Sequence, residues 1–180
     1  MEKTRTRSLF LTGVIAVAMM FVVMFGFAAC GEAKIELTEE NVVGTYDVTN
    51  AAFTPTAENQ YNRQAATCTK AEFEAIKAKV DAGTELTEDE EYKYNEVFYD
   101  YFARYEIKAD NTIAIENHQV ATWAIENGEL TYTSTIQGNT DWQFAVAWDN
   151  GKIIVTITVP NAQGAAMAGT MVLTLEKVVE

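Results

Sequence analysis

The sequence predicts a mainly β protein, an antiparallel eight-stranded up-and-down barrel with a two-helix insertion between strands 1 and 2. Three observations carry this. From Arg104 onward apolar residues recur with a period of two, the mark of half-buried strands. These segments are joined by short connections, among them Asp110-Asn111, Asn127-Gly128 and Asn150-Gly151, and Asn-Gly suits a tight hairpin turn because both residues tolerate positive φ. Ahead of them lie two stretches with helical spacing, each opened by a capping box. Consecutive strands joined in this way favour a meander that closes on itself, since closure removes exposed edges.

Taken in order, residues 43–49 alternate, with Tyr46 and Val48 on one face and Thr45, Asp47 and Thr49 on the other. Residues 50–66 are polar and irregular, and Pro55 lacks the amide a central strand needs, so a loop is expected there. Thr69 precedes Glu72 by three, a spacing that satisfies the first free amides of a helix. Phe73, Ile76 and Val80 form its apolar stripe, and Gly83 ends it. Thr87 and Glu90 repeat the device. There Tyr94, Val97, Phe98, Tyr101 and Phe102 give the second helix a broad aromatic face. The insertion thus covers residues 67–104.

The remaining strands carry Tyr105 and Ile107; Ile113 and Ile115; residues 120–125; Leu130, Tyr132, Ser134 and Ile136; Trp142, Phe144, Val146 and Trp148; Ile153, Val155, Ile157 and Val159; and Met171, Leu173 and Leu175. In an up-and-down barrel alternate connections share an end. The three tight turns therefore fall at one closed end. The helical insertion and residues 117–119, 137–141 and 160–169 fall at the other, the expected mouth.

The first thirty residues have a different character. Lys3, Arg5 and Arg7 precede an uncharged apolar run over residues 9–27, the order of an export signal. The run ends in Phe27-Ala28-Ala29-Cys30, which resembles the signal of bacterial lipoproteins, whose cysteine is given lipid and becomes the mature N-terminus. That resemblance implies a signal peptide over residues 1–29, lipidation at Cys30, a tether over 30–40 and a barrel domain over 41–180. An uncleaved membrane helix is the alternative, because about 20 apolar residues span a bilayer. The opening Gly44-Thr45-Tyr46, the consecutive hairpins and the terminal Leu173-Thr174-Leu175-Glu176-Lys177 resemble the small lipocalin-like domains that bacterial lipoproteins often carry, over residues 41–178. Tyr46 stands where true lipocalins have tryptophan. The resemblance implies the barrel, and a bound ligand as one of two functions.

Removing Lys3, Arg5, Arg7 and Glu2 from the 13 Lys+Arg and 26 Asp+Glu of the chain leaves 10 against 25, about −15. Such a domain has no basic surface to neutralise phosphates, so nucleic acid is not an expected partner, and an anionic membrane would repel it. Lipid must hold it, and because one acyl chain binds only marginally, several are needed. The expected place is the outer face of the bacterial cell membrane, or the outer membrane.

Cys68 has no partner once Cys30 is modified, which leaves a reactive or intermolecular thiol or a tolerated free one. His118 stands alone in an expected turn, whereas zinc needs three or four ligands. The carboxylates Asp81, Glu85, Glu88, Asp89, Glu90 and Glu91 lack the ordered spacing of a calcium loop and suit the positive end of a helix dipole. Neither Ser8 nor Ser134 sits in a nucleophile motif, and no phosphate-cradling glycine loop is present. No enzyme, cofactor or metal is expected, and the chain is expected to be a monomer.

Two functions remain. The barrel is a filled structural or protein-interaction module of the cell envelope, meeting an envelope protein or extracellular polymer. Alternatively, it binds a small apolar or amphipathic ligand inside or under its helical lid, lined by Tyr101, Phe102, Trp142 and Trp148. The heavy aromatic content favours the filled barrel, and an apolar cavity opening under the helices would reverse that preference.

Overall fold

The structure, a computed structural model, describes residues 34–56, 63–135, 141–161 and 167–179. The leader with Cys30, the strand residue Ile136 and most of the connections over 137–141 and 160–169 lie outside the described residues. The chain divides into two units, Met1–Lys34 and Ile35–Glu180, and the barrel belongs to the second.

In chain order the described elements are α1 (Glu39–Val42), β1 (Gly44–Pro55), β2 (Ala66–Thr69), α2 (Lys70–Asp81), α3 (Glu88–Glu91) continuing as a π-helical segment (Tyr92–Phe98), β3 (Arg104–Ile107), β4 (Thr112–Ile115), β5 (His118–Glu126), β6 (Glu129–Ser134), β7 (Gln143–Asp149), β8 (Lys152–Val159) and β9 (Gly169–Lys177). Eight strands follow one another around the barrel as β6-β5-β4-β3-β1-β9-β8-β7, all neighbours antiparallel. This is the predicted up-and-down order, with closure one step short. The end strands β6 and β7 meet across a seam that carries no ladder among the described residues, where the rings of Tyr132 and Phe144 lie 5.3 Å apart.

Strand β1 corrects the expected loop over residues 50–66. It runs on through Pro55, in the middle of the sheet, because a bulge at Thr49 shifts its phase by one residue. Tyr46 and Val48 before the bulge and Ala51 and Phe53 after it are therefore all buried. Pro55 is tolerated as the final residue, paired with Gly169. Gly169 has φ +155, and a Cβ there would meet the Pro55 Cα at 2.8 Å, so this close approach of backbones needs glycine. The unexpected strand β2 pairs with residues 50–53 of β1 along the same edge that β3 occupies at residues 44–47.

Both capping boxes form, at Thr69 with Glu72 and at Thr87 with Glu90. Phe73 and Ile76 of α2 are buried as expected, but Val80 is 39 % exposed. In that last turn Lys79 reaches Glu90 at 2.5 Å. The second helix also departs from the predicted regular spacing. After one α-turn it widens into the π-helical segment and stops at Phe98, burying Tyr94, Val97 and Phe98 together.

The three tight turns share one end of the barrel, with Asn111, Asn127 and Asn150 at positive φ. At the other end the expected loop over 117–119 is instead a two-residue turn of Glu116 and Asn117, both at positive φ, and His118 begins β5. Helix α1 covers the closed end. Val42 is wholly buried, and the Tyr46 hydroxyl donates to the carbonyls of Val42 at 2.9 Å and Asn41 at 3.1 Å. The chain joins this same end at Ile35, whose N–H donates to Asn150 Oδ1 at 2.8 Å and whose carbonyl accepts from Trp148 Nε1 at 3.0 Å.

Candidate functional site

Among the described residues two hollows stand out, and they differ in kind. The barrel lumen is lined by Val42, Ile107, Trp123, Leu130, Ile153 and Leu175, with Tyr105 and Tyr132 adding phenols. Burial pushes the pKa of both phenols up, so they stay neutral hydrogen-bonding groups at ordinary pH. The free space measures about 50 Å³. At 10–15 Å³ per water this admits roughly three to five waters and no lipid-sized molecule. The lumen is therefore essentially filled by side chains.

The second hollow is an open cleft of about 660 Å³ between the helical insertion and the mouth end of the barrel. One wall is the stripe Lys70, Phe73, Glu74 and Lys77, which the helical repeat of α2 sets on one face. The opposite wall is the segment after the π-helical turn, with Tyr99, Asp100, Phe102 and Arg104. Asp47 of β1 and Glu116 of the β4–β5 turn complete the rim.

The floor is a run of stacked rings. Phe73 lies 4.6 Å from Phe102 at 17° and 5.3 Å from Tyr94 at 25°, and Tyr99 meets Tyr94 edge-on at 5.3 Å. Three of these rings sit in the packed structure, but Tyr99 is 61 % exposed.

The cations on the rim are matched. Asp47 accepts from Lys70 Nζ at 2.7 Å and from Arg104 Nε at 2.9 Å, and these two cations hold its carboxyl below the usual carboxylate range. Lys70 also lies 3.7 Å from Glu74, and Lys77 reaches Asp81 at 2.7 Å. The acidic start of α3 is likewise engaged, because Lys93 bridges Asp89 at 2.8 Å and Glu72 at 2.9 Å, tying the two helices together. Among the described residues no group of three or more His, Cys, Asp or Glu side chains is placed to hold a metal ion. Cys68 is buried, and burial pushes its thiol up to about 11, with the Glu72 carboxylate adding to the effect.

The four residues expected to line a ligand site do not come together. Phe102 alone lines the cleft. Tyr101 is half-buried beside it in the same segment and lines neither hollow. Trp142 precedes β7 at the mouth end, its ring 6.4 Å from that of Phe144, while Trp148 sits at the closed end on Ile35. Sequence reasoning passed over Tyr94, Tyr99, Asp47 and Arg104. The available signal was a charged residue on the outward face of β1 and a tyrosine falling just outside the apolar stripe. Set against known proteins, no family model matches this chain, and neither a curated protein nor a solved structure is significantly similar to it.

Proposed function

We propose that this protein is an exported, lipid-anchored bacterial lipoprotein whose lipocalin-like barrel is a non-catalytic module of the cell envelope, working by contact at its mouth end. The observation that carries the reading is the polarity of the barrel: the chain joins it at the closed end, at Ile35, and the large recess lies at the other. Lipid on Cys30 would be five residues from that attachment, at most about 18 Å of extended chain. The closed end then faces the membrane and the mouth faces out, toward an envelope protein or extracellular polymer. With a lumen of only about 50 Å³, side chains rather than a ligand fill the barrel. The ligand alternative keeps its footing at the cleft.

The test is metabolic labelling with a fatty-acid analogue. The wild-type chain should take the label and Cys30→Ser should not. Label on the mutant, or none on the wild type, would remove the lipid anchor from this reading.

A further inference from the structure

The cleft under the helices has the composition of a recognition site, and its charge pattern narrows the class of ligand. A volume of about 660 Å³ falls within the range of small-molecule sites. An apolar guest such as an acyl chain would leave the polar rim desolvated without partners, at a cost in free energy for each group. An anionic guest fares no better. Lys70 and Arg104 are already paired to Asp47, and Lys77 to Asp81, so an anion would have to break pairs to gain its own. Hydroxyls, however, both donate and accept, and they can use lone pairs and N–H groups that paired side chains still offer. Asp100 and Glu116 add carboxylates on the rim that make no ion pair among the described residues.

The floor asks for the complement of a π face. Aromatic faces carry negative charge density and attract weakly positive C–H groups. Tyr99 leaves 61 % of its surface open beside a stack of rings that already satisfy one another. A ring that is apolar on its flat face and rimmed by hydroxyls matches both features at once.

We propose that this cleft binds a neutral saccharide, with one sugar ring lying on Tyr99 and its hydroxyls on the rim formed by Asp47, Lys70, Arg104, Asp100 and Glu116. This deepens the reading above by naming the outward partner as a glycan. It is tested in solution, where anchoring plays no part, so the two can fail separately.

The experiment is a glycan array of neutral and anionic oligosaccharides probed with the purified full-length chain in detergent, followed by calorimetry on any neutral glycan bound. Tyr99→Ala should weaken binding about tenfold or more, which is about 1.4 kcal/mol. Tyr99→Phe, which keeps the ring, should retain it. Asp100→Ala, a second exposed change, should weaken it several-fold, and thermal melts establish that each variant is folded. No neutral glycan bound, binding confined to anionic glycans, or neutral binding equal in wild type and both alanine variants would each overturn the proposal.

Discussion

The two sides of the barrel are built differently. On one side β1, β9 and β8 are joined by long ladders, nine pairs between β1 and β9 and eight between β9 and β8. Their inward residues Tyr46, Phe53, Leu173, Leu175 and Ile153 are at most 3 % exposed. On the other side β6 and β7 share no ladder among the described residues, and the inward residues Tyr132, Phe144, Val146 and Trp148 are only half-buried. Alternation in the sequence is as clear in β7 as in β9. What differs is whether a strand has a hydrogen-bonded neighbour on each edge, and the alternation of side chains does not report that.

The sharpest way to break this contrast is substitution. Leu173→Ala removes a side chain that is 1 % exposed and should cost about 3 kcal/mol or more. Phe144→Ala removes a larger one at the seam, yet should cost no more than about half as much, because less burial is lost. Urea titrations giving equal costs would mean the seam is packed as tightly as the wall.

A smaller effect should come from pH. Burial pushes the Tyr46 phenol up to about 12 and the Cys68 thiol up to about 11, and both lie on the walled side, on β1 and β2. Each ionises earlier in the unfolded chain, near 10 for the phenol and 9 for the thiol. The stability they protect is complete below those values and drains away as pH rises from about 9 to 12. The urea midpoint should fall over that window, and less steeply in Tyr46→Phe. An unchanged slope would move the alkaline weakness to Cys68 or to the lumen tyrosines Tyr105 and Tyr132.

The smallest effect needs no substitution. Backbone amides on the free edges of β6 and β7 should exchange with deuterium about tenfold faster or more than those shared by β1 and β9, a difference of about 1.4 kcal/mol in opening. Equal protection on both sides would show that water-mediated or side-chain bridges close the barrel as firmly as a ladder does.

Much of this architecture was legible because turns and caps are written in a few residues with fixed roles. Asn127-Gly128 and Asn150-Gly151 mark their hairpins, and Thr69 with Glu72 and Thr87 with Glu90 mark both helix starts. The misreadings have physical causes. A bulge at Thr49 resets the period of β1, so Ala51 and Phe53 look out of phase with Tyr46 and Val48 although all four are buried. Glu116 carries a positive φ without being glycine or asparagine, which no composition rule flags. Regular helical spacing leaves Tyr99 outside the face of Tyr94 and Phe98, and after the π-helical widening its ring lies 5.3 Å from that of Tyr94. A site under the helical lid was expected, but most of its lining escaped notice for a related reason. It is assembled from α2, the segment after the π-helical turn, β1 and the β4–β5 turn, residues far apart in the chain that only the fold makes neighbours.

Because the chain meets the barrel at its closed end and passes through the short helix α1 into the first strand, a pull applied there and resisted at the mouth acts along β1. That strand is held by β9 on one edge and by β3 and β2 on the other. Such a load shears many backbone hydrogen bonds at once instead of peeling them one by one, the geometry in which a sheet resists force best. A module tethered at this point and gripping something at the far end would therefore be mechanically strong, and the seam between β6 and β7 would lie outside the line of tension.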